Sequence, residues 1–356
     1  MKARAREDDA VVLQSQMQMQ SAPREGGTGT AARPFRILAL DGGGARGYLS
    51  ARLLERAETH LNAVSHQSCP LGTRFDLIVG TSTGGIIALA LALGHHASDI
   101  ARFYEERLSL IFGVAMRRPR AWSLFKPRYR SNELEAALDD FFGDRTLADV
   151  KTDVCVTTVS LLGAKPNLFH SDYVQSGASC LHERLADLAR ATSSAPTYFA
   201  TGTKPHLRPL VDGGLCANNP ALVAVVESFR FGRPSHRGLL SPGHDSSACC
   251  LGKMCVLSIG TGESWAMPYA PASLQDAGAI GWGVQFHNLA IESQSQLTHA
   301  LMQGLLGRAY HRINPRLDFS MTMDDTKHMG ALRSLAELSD DDLMFLCEHL
   351  SAPCAV

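Results

Sequence analysis

A serine flanked by glycines stands between two apolar runs, and this arrangement restricts the fold of the chain more than any other feature. The run Phe75–Val79 leads into Gly-Thr-Ser-Thr-Gly at 80–84, and the run Ile86–Leu93 follows. This order predicts a strand, a sharp turn and a helix, because the glycines let the chain turn tightly enough to expose the hydroxyl of Ser82. Free N–H groups at the start of the helix favour negative charge beside the serine. The sequence therefore predicts a nucleophile at Ser82.

Strand-like and helix-like segments alternate along most of the chain, which is the pattern of a largely parallel sheet with helices between its strands. The first strand is predicted at Phe35–Leu40, and a helix from about Leu49 to Val64 follows it. From Asp276 onward the pattern is mainly helical, with helices predicted at Val284–Leu306 and Gly330–Leu346. The predicted fold class is α/β, a largely parallel central sheet flanked by helices, with a helical C-terminal portion. The other predicted strands are Phe75–Gly80, Val154–Leu162, Asn167–His170, Leu207–Val211 and Cys255–Ile259.

The composition of the 356-residue chain favours a globular protein with a sizeable core. Apolar residues make up 45% and charged residues 19%, and the formal net charge of −1 argues against a nucleic-acid binder. Nine irregularly spaced cysteines without an apolar leader predict reduced thiols and a cytoplasmic location. Met1–Pro34 has the composition of a flexible tail, so a single domain is predicted over 35–350. The longest apolar run, Ile86–Leu93, is too short to span a bilayer.

A second glycine cluster, Asp41–Gly47, follows the first predicted strand directly. Its glycines satisfy the G-x-G-x-x-G spacing, so a dinucleotide-binding loop is one interpretation. The strand before Ser82 ends without the acidic residue that would hold a ribose, which weakens that interpretation. The alternative is an oxyanion hole, in which backbone N–H groups at a helix start bind an oxygen that gains charge during acyl transfer. The groups assigned to that oxyanion hole are Gly42, Gly43 and Gly44, with Arg46 as a neighbouring cation.

A serine nucleophile needs a base, and Asp212 is the candidate. It follows the strand-like Leu207–Val211 and precedes Gly213-Gly214, so its carboxylate is free to project into a shared site. None of the 14 histidines stands in a turn that marks it as the partner of Ser82. Considered alone, an aspartate in this position more often only starts a turn. The assignment of Asp212 therefore depends on the two glycine-rich motifs upstream of it.

Taken in order, Asp41–Gly47, Gly80–Gly84 and Asp212–Gly214 resemble the glycine-rich oxyanion motif, the serine elbow and the Asp-Gly-Gly motif of the patatin-like phospholipases. The likeness runs from about Phe35 to Leu346, and three motifs in this order are far more specific than any one of them. Lesser likenesses to recurrent family segments lie at Ala191–Phe199, Asn218–Pro220 and Ser258–Gly262. The glycines that support the motifs are Gly80, Gly84, Gly213 and Gly214.

The resemblance implies a three-layer patatin-like domain and a Ser82–Asp212 dyad without histidine. In that interpretation Ser82 attacks an ester carbonyl of a membrane glycerophospholipid and forms an acyl-enzyme, while Asp212 takes and returns the proton. The resemblance implies no metal and no cofactor, and Asp41 is structural in it. Some relatives are switched on by a small nucleotide and others by a host protein, so a small-molecule or protein activator stays open here. The oligomeric state is not predicted.

Cations and aromatic side chains alternate without an acid between Ile111 and Arg130, which we call the basic-aromatic segment. Such a composition suits peripheral docking onto an anionic lipid surface, where each basic residue contributes about 1 kcal/mol. The alternative is a solvated basic loop that covers the active site. The predicted membrane contacts are Arg117, Arg118, Arg120, Trp122, Phe125 and Lys126.

A zinc site could be drawn from one histidine and three cysteines in the second half of the chain. The two adjacent cysteines and the missing C-x-x-C spacing argue against it, so no metal site is predicted. The residues concerned are His244, Cys249, Cys250 and Cys255.

Overall fold

A computed structural model describes residues 33–113, 117–118, 125–171, 174–175, 178–201, 209–231, 251–264, 275–276 and 278–351. Its strands are β1 Phe35–Leu40, β2 Leu77–Thr81, β3 Asp153–Ser160, β4 Lys165–His170, β5 Val174–Gln175, β6 Ala178–Ser179, β7 Leu210–Asp212, β8 Met254–Ile259, β9 Glu263–Ser264, β10 Tyr310–Ile313 and β11 Arg316–Leu317. Its α-helices are α1 Gly47–Ser65, α2 Thr83–Leu93, α3 Ala97–Ile111, α4 Asn132–Phe142, α5 Leu185–Thr192, α6 Gly214–Ala217, α7 Ala221–Phe231, α8 Ala279–Leu306, α9 Met329–Leu335 and α10 Asp340–Leu350. Short 3-10 turns lie at Gly44–Arg46, Leu71–Arg74, Leu147–Asp149, Leu251–Lys253 and Gly307–Ala309.

Within the described residues the central sheet has seven strands, six of them in the order β10-β8-β1-β2-β3-β4. The pairs from β10 to β3 are parallel, whereas β4 and the short β7 run antiparallel to β3. The predicted class, a largely parallel α/β sheet, is therefore confirmed. Parallel pairing needs a crossover between consecutive strands, and α1 supplies it between β1 and β2.

Helices cover both faces of the sheet and give the three layers that the resemblance implies. Along β1 the side chains of Leu38 and Leu40 pack with α1 to α5, together with the C-terminal helices α9 and α10. The side chains of Ile37 and Ala39 point to the opposite face and pack with α7 and α8. All four are fully buried, because a strand that is covered on both faces buries its alternate positions equally.

The predicted helix after Ser82 is α2, which is buried on nearly every side. Its 11 residues fill the space between the sheet and the neighbouring helices, as the uninterrupted apolar run indicated. A span of the bilayer takes about 20 residues. Within the described ranges no helix has both the length and the apolar character to cross a membrane.

The C-terminal third departs from the sequence prediction most clearly at a helix break and at a missed strand. The single helix predicted at Gly330–Leu346 is wrong, because the chain leaves α9 and begins again at α10. Ser339 causes this new start: its hydroxyl accepts the Asp342 N–H at 3.2 Å, and the Asp342 carboxylate accepts the Ser339 N–H at 2.8 Å. The sequence also missed β10, whose His311 and Arg312 are bonded to carboxylates of Asp342 and Asp41. Because these two polar residues occupy the middle of the edge strand β10, its sequence lacks the apolar alternation by which a strand is predicted.

The predicted tail Met1–Pro34 falls almost wholly outside the described residues. The tail and the single domain at 35–350 therefore stay predictions.

Candidate active site

Strand register brings Ser82 and Asp212 together. β2 ends at Thr81 opposite Thr157, and Asp212 lies opposite the next residue, Thr158. Strand β4 pairs with one edge of β3, so β2 and β7 both pair with its other edge. The C-terminal ends of β2 and β7 therefore meet along that edge. Ser82 Oγ donates a hydrogen bond to Asp212 Oδ2 at 2.5 Å, and both residues are buried.

The backbone at Ser82 makes the turn that the glycines predicted. Ser82 has φ 55° and ψ −123°, a conformation that costs a non-glycine residue about 1–3 kcal/mol. Its N–H donates to Thr192 Oγ1 at 2.9 Å, which fixes the strained turn from α5. A Cβ at Gly84 would lie 2.3 Å from the Leu40 carbonyl oxygen, so the close approach of the elbow to β1 requires glycine there.

The carboxylate of Asp212 is buried, and both of its oxygens accept hydrogen bonds. Besides the bond from Ser82, Oδ1 accepts the Gly214 N–H at 2.7 Å. Burial raises the pKa of Asp212 to about 6, although these two hydrogen bonds oppose the rise. A carboxylate with that pKa is mostly ionised at neutral pH, yet it accepts a proton more readily than an ordinary aspartate.

The glycine cluster follows β1 and lies beside Ser82, because Leu40 at the end of β1 pairs with Gly80. The Gly42 N–H already donates to the Asn218 carbonyl at 3.0 Å. Within the described part of the chain, the N–H groups of Gly43 and Gly44 have no protein acceptor. These two amides, rather than all three, therefore remain candidates for the oxyanion donors.

The Gly44–Arg46 turn is held from the C-terminal part of the chain. Gly44 has φ +58°, and a Cβ there would lie 2.3 Å from the Met323 carbonyl oxygen, which accepts the Ala45 N–H at 2.7 Å. Met323 thus lies at the helix start where a dinucleotide loop would hold its diphosphate, so the geometry does not favour that interpretation. Arg46 donates to the Gly262 carbonyl at 3.3 Å and lines neither of the cavities beside Ser82.

Three further residues position the cluster, and the sequence did not single them out. Arg312 forms an ion pair with Asp41 at 2.6 Å, which gives Asp41 the structural role that the resemblance implied. Thr261 Oγ1 donates to the Gly42 carbonyl at 3.1 Å, and Asn218 takes the Gly42 N–H. Asn218 and Thr261 lie in two of the lesser family-like segments, which is the signal that could have found them. Arg312 had no such signal.

Two cavities meet at the Ser82–Asp212 pair. The larger encloses about 640 Å³ including its mouth, and its wall is almost wholly apolar. The smaller, of about 290 Å³, has a more polar wall. Ser82, Asp212, Ala195 and Met323 line both of them. The larger is otherwise lined by Gly44, Thr83, Ile86, Phe103, Tyr104, Arg107, Leu108, Ile111, Phe112, Leu134, Ser193, Tyr198 and Phe199, and the smaller by Gly43, Pro196, Gly214, Leu215, Asn218, His287 and Ile291.

Of the histidines in the described ranges, one lines a cavity beside the site. His287 on α8 lines the smaller cavity, but it makes no hydrogen bond to Ser82 or Asp212. Burial lowers the pKa of His287. Asp212 is therefore the only titratable side chain bonded to Ser82 among the described residues.

The basic-aromatic segment is described in part, and its first residues, Ile111 and Phe112, line the larger cavity. Arg128 and Tyr129 donate their N–H groups to the carbonyls of Thr197 and Tyr198, at 2.7 and 2.9 Å. Phe125 is 88% exposed, whereas Arg118 donates to the Pro127 carbonyl at 2.8 Å. Arg117 and Lys126 are also described, while Arg120 and Trp122 lie outside the described residues. Membrane contact by this segment stays a prediction.

The zinc candidates do not form a described cluster. Cys255 is buried in β8, and His244, Cys249 and Cys250 lie outside the described residues. Across the part of the chain that is described, no group of three or more potential ligands could hold a metal ion.

Comparison with known proteins points to one family. The model of the patatin-like phospholipase family matches residues 38–225. Patatin-like protein 4 of Arabidopsis thaliana is 33% identical over 283 residues, which cover 74% of this chain and 67% of that protein. A cGAMP-activated phospholipase of Vibrio cholerae is 33% identical over 267 residues, 70% of each chain. A protein of the same name from Escherichia coli is 37% identical over 209 residues, which cover 55% of this chain and 56% of that protein.

Proposed function

We propose that this chain, which belongs to the patatin-like phospholipase family, is a lipid acyl hydrolase that cleaves carboxylic ester bonds of membrane glycerophospholipids. The observation that carries the proposal is the 2.5 Å hydrogen bond from Ser82 Oγ to Asp212 Oδ2 at the meeting point of two cavities. A nucleophile bonded to its base beside free backbone donors is the arrangement that acyl transfer requires.

The reaction has two halves in this site. Asp212 takes the proton of Ser82 as Oγ attacks the ester carbonyl, and the N–H groups of Gly43 and Gly44 donate to the oxygen that becomes negative. Asp212 then returns the proton to the departing alcohol, which leaves an acyl group on Ser82. Water releases the fatty acid in the second half, with Asp212 again acting as base. The positive end of α2 stabilises the oxyanion in both halves.

The two cavities bind different parts of the substrate. The larger cavity takes the acyl chain, because its wall is built from aliphatic and aromatic side chains of α2, α3 and α4. The smaller cavity takes the alcohol side of the ester, because backbone and polar groups such as Asn218 and His287 line it. Ser82 and the two donors lie where the carbonyl would join the two parts.

Leu108→Trp is expected to shift the enzyme toward shorter acyl chains. Leu108 is 4% exposed and lines the larger cavity, so an indole there would fill space that a long chain uses. Each methylene that loses its burial costs about 0.8 kcal/mol, so exclusion of two lowers the rate on p-nitrophenyl palmitate relative to the butyrate by about tenfold. Leu110→Trp on the same helix is the control, since Leu110 is 50% exposed and lies outside both cavities. An unchanged palmitate-to-butyrate ratio in a folded Leu108→Trp variant would contradict this placement of the chain.

Activity is expected to rise with pH and to reach half of its maximum at about pH 6. Protonated Asp212 cannot accept the serine proton, so the rate falls below the raised pKa of about 6. The measurement is kcat/KM on a soluble short-chain ester, with the fold monitored by circular dichroism at each pH. His287→Gln is the control, and it must keep the inflection if Asp212 is the titrating group. A rate that stays flat from about pH 5 to about pH 8 is the contrary result.

We also propose a small-molecule activator and peripheral binding to membranes. The activator is suggested by relatives whose names describe activation by cGAMP. The membrane contact is suggested by the exposed Phe125 in the basic-aromatic segment.

The function itself is tested by incubating the protein with mixed glycerophospholipid vesicles, with and without cGAMP, and analysing the lipids by mass spectrometry. Free fatty acid and lysophospholipid are expected. Vesicle lipids that remain unhydrolysed both with and without cGAMP would count against the proposal.

A further inference from the structure

The segment between β11 and α9 returns to the active site from a part of the chain that the family model does not match, since the match ends at residue 225. Met323 in this segment accepts the Ala45 N–H at 2.7 Å and lines both cavities. Its carbonyl lies so close to Gly44 that no side chain could stand there. Met323 therefore fixes one side of the turn that carries the oxyanion donors.

Asp324, the next residue, is a buried carboxylate with three partners. Its side chain is 6% exposed and forms an ion pair with Arg128 at 2.7 Å. Tyr129 Oη donates to the same oxygen at 2.7 Å, and Thr322 Oγ1 donates to the other at 2.8 Å. A buried carboxylate with charged and neutral donors on both oxygens has little freedom to move.

One of these partners, Tyr129, packs against the wall of the larger cavity. The Tyr129 ring packs against Phe112 and Phe199, with ring centroids 5.3 and 6.0 Å apart. Its N–H donates to the Tyr198 carbonyl at 2.9 Å. Phe112, Tyr198 and Phe199 line the larger cavity. Asp324 thus joins the cavity wall to the residue that supports the glycine turn.

We propose that Asp324 is a positioning residue for the hydrolysis: it ties Met323 to Arg128 and Tyr129 and so holds the Gly43 and Gly44 N–H groups in place beside Ser82. Asp324 contacts no reacting atom, so its effect passes through Met323. The part that concerns the rate rests on the proposed function. The part that concerns the glycine turn rests on geometry alone.

The first test measures kcat and KM of Asp324→Ala on a soluble short-chain ester, normalised to active sites titrated with a fluorophosphonate. A displacement of about 1 Å at the donors lowers kcat about ten- to a hundredfold, whereas KM stays within about threefold. Asp325→Asn is the matched control, because the Asp325 carboxylate bonds, among the described residues, only to Lys327 and His328 of its own turn. Tyr129→Phe removes a single hydroxyl and is expected to reproduce part of the loss in a fully folded protein.

The second test does not need activity. Amide hydrogen exchange in the peptide that contains Ala45 is expected to be faster in Asp324→Ala, with wild-type exchange in Asp325→Asn. Wild-type exchange there in Asp324→Ala, or a wild-type normalised kcat, would overturn the positioning role. If the wild-type protein hydrolyses no ester, the proposed function fails, but the exchange measurement still decides whether Asp324 holds the turn.

Discussion

Ser82→Ala is expected to abolish ester hydrolysis, with a loss of about a millionfold by analogy with the loss of a nucleophile in a serine protease. The hydroxyl of Ser82 is the one bonded to Asp212 where the two cavities meet, and the nearby hydroxyls of Thr83 and Ser193 are bonded elsewhere. The measurement is fatty-acid release from vesicles and hydrolysis of a soluble ester. The fold is expected to persist, because a single hydrogen bond contributes only about 1 kcal/mol net.

The matched control for Ser82→Ala is Ser193→Ala. Ser193 is buried and lines the larger cavity, but its hydroxyl donates to the Ala189 carbonyl at 2.7 Å. Hydrolysis by the Ser193→Ala variant is expected to stay within a few-fold of the wild type. Hydrolysis by a purified Ser82→Ala variant at more than a trace of the wild-type rate would show that another group attacks the ester.

Asp212→Asn is expected to lower kcat by about 10⁴-fold or more, the size of effect seen when the acid of a serine triad is made neutral. Asparagine keeps the shape of the side chain, but it cannot take the proton of Ser82 as the oxygen attacks. No other titratable side chain among the described residues is bonded to Ser82, so the proton has no second acceptor in the protein. The measurement is kcat on the soluble ester together with the rate of fluorophosphonate labelling.

Asp41, the other buried carboxylate beside the glycine cluster, provides the control for this prediction. Asp41 is buried near the same loop, but its carboxylate is bonded to Arg312 rather than to Ser82. Asp41→Asn is therefore expected to act on stability, with retained activity per active site. Activity retained in Asp212→Asn and lost in Asp41→Asn would transfer the role of base to Asp41.

The fold class was predictable because its signals are local. The apolar alternation of β1 and the glycines around Ser82 define a strand and an elbow within a few residues, and both are present. The distance between Ser82 and Asp212 was not predictable in this way. It depends on the register of β3, where Thr157 and Thr158 lie opposite the two strand ends, and no residue of β3 belongs to either motif.

Which N–H groups of the glycine cluster are free to act as donors was also not predictable from the sequence. Three consecutive glycines look equivalent in a sequence, but the Asn218 carbonyl takes the N–H of Gly42 and leaves those of Gly43 and Gly44. Arg46, the predicted neighbouring cation, bonds to Gly262 instead of lining a cavity. Such differences arise from contacts between distant segments, which composition and spacing do not encode.

Met323 and Asp324 could not be identified from the sequence for the same reason. They lie in a short irregular segment without a motif, and their importance comes only from what the fold places against them. By contrast, the helix break before α10 had a local signal in Ser339 and Asp342, the capping pair that the helical pattern concealed.

The most direct test of the Ser82–Asp212 assignment is the mass spectrometry of peptides after brief exposure of the protein to an alkyl fluorophosphonate, with and without cGAMP. Attachment to the peptide that contains Ser82, together with much slower attachment in Asp212→Asn, is the predicted result. Attachment to another serine, or an equal rate of labelling in Asp212→Asn, would contradict the assignment of nucleophile and base.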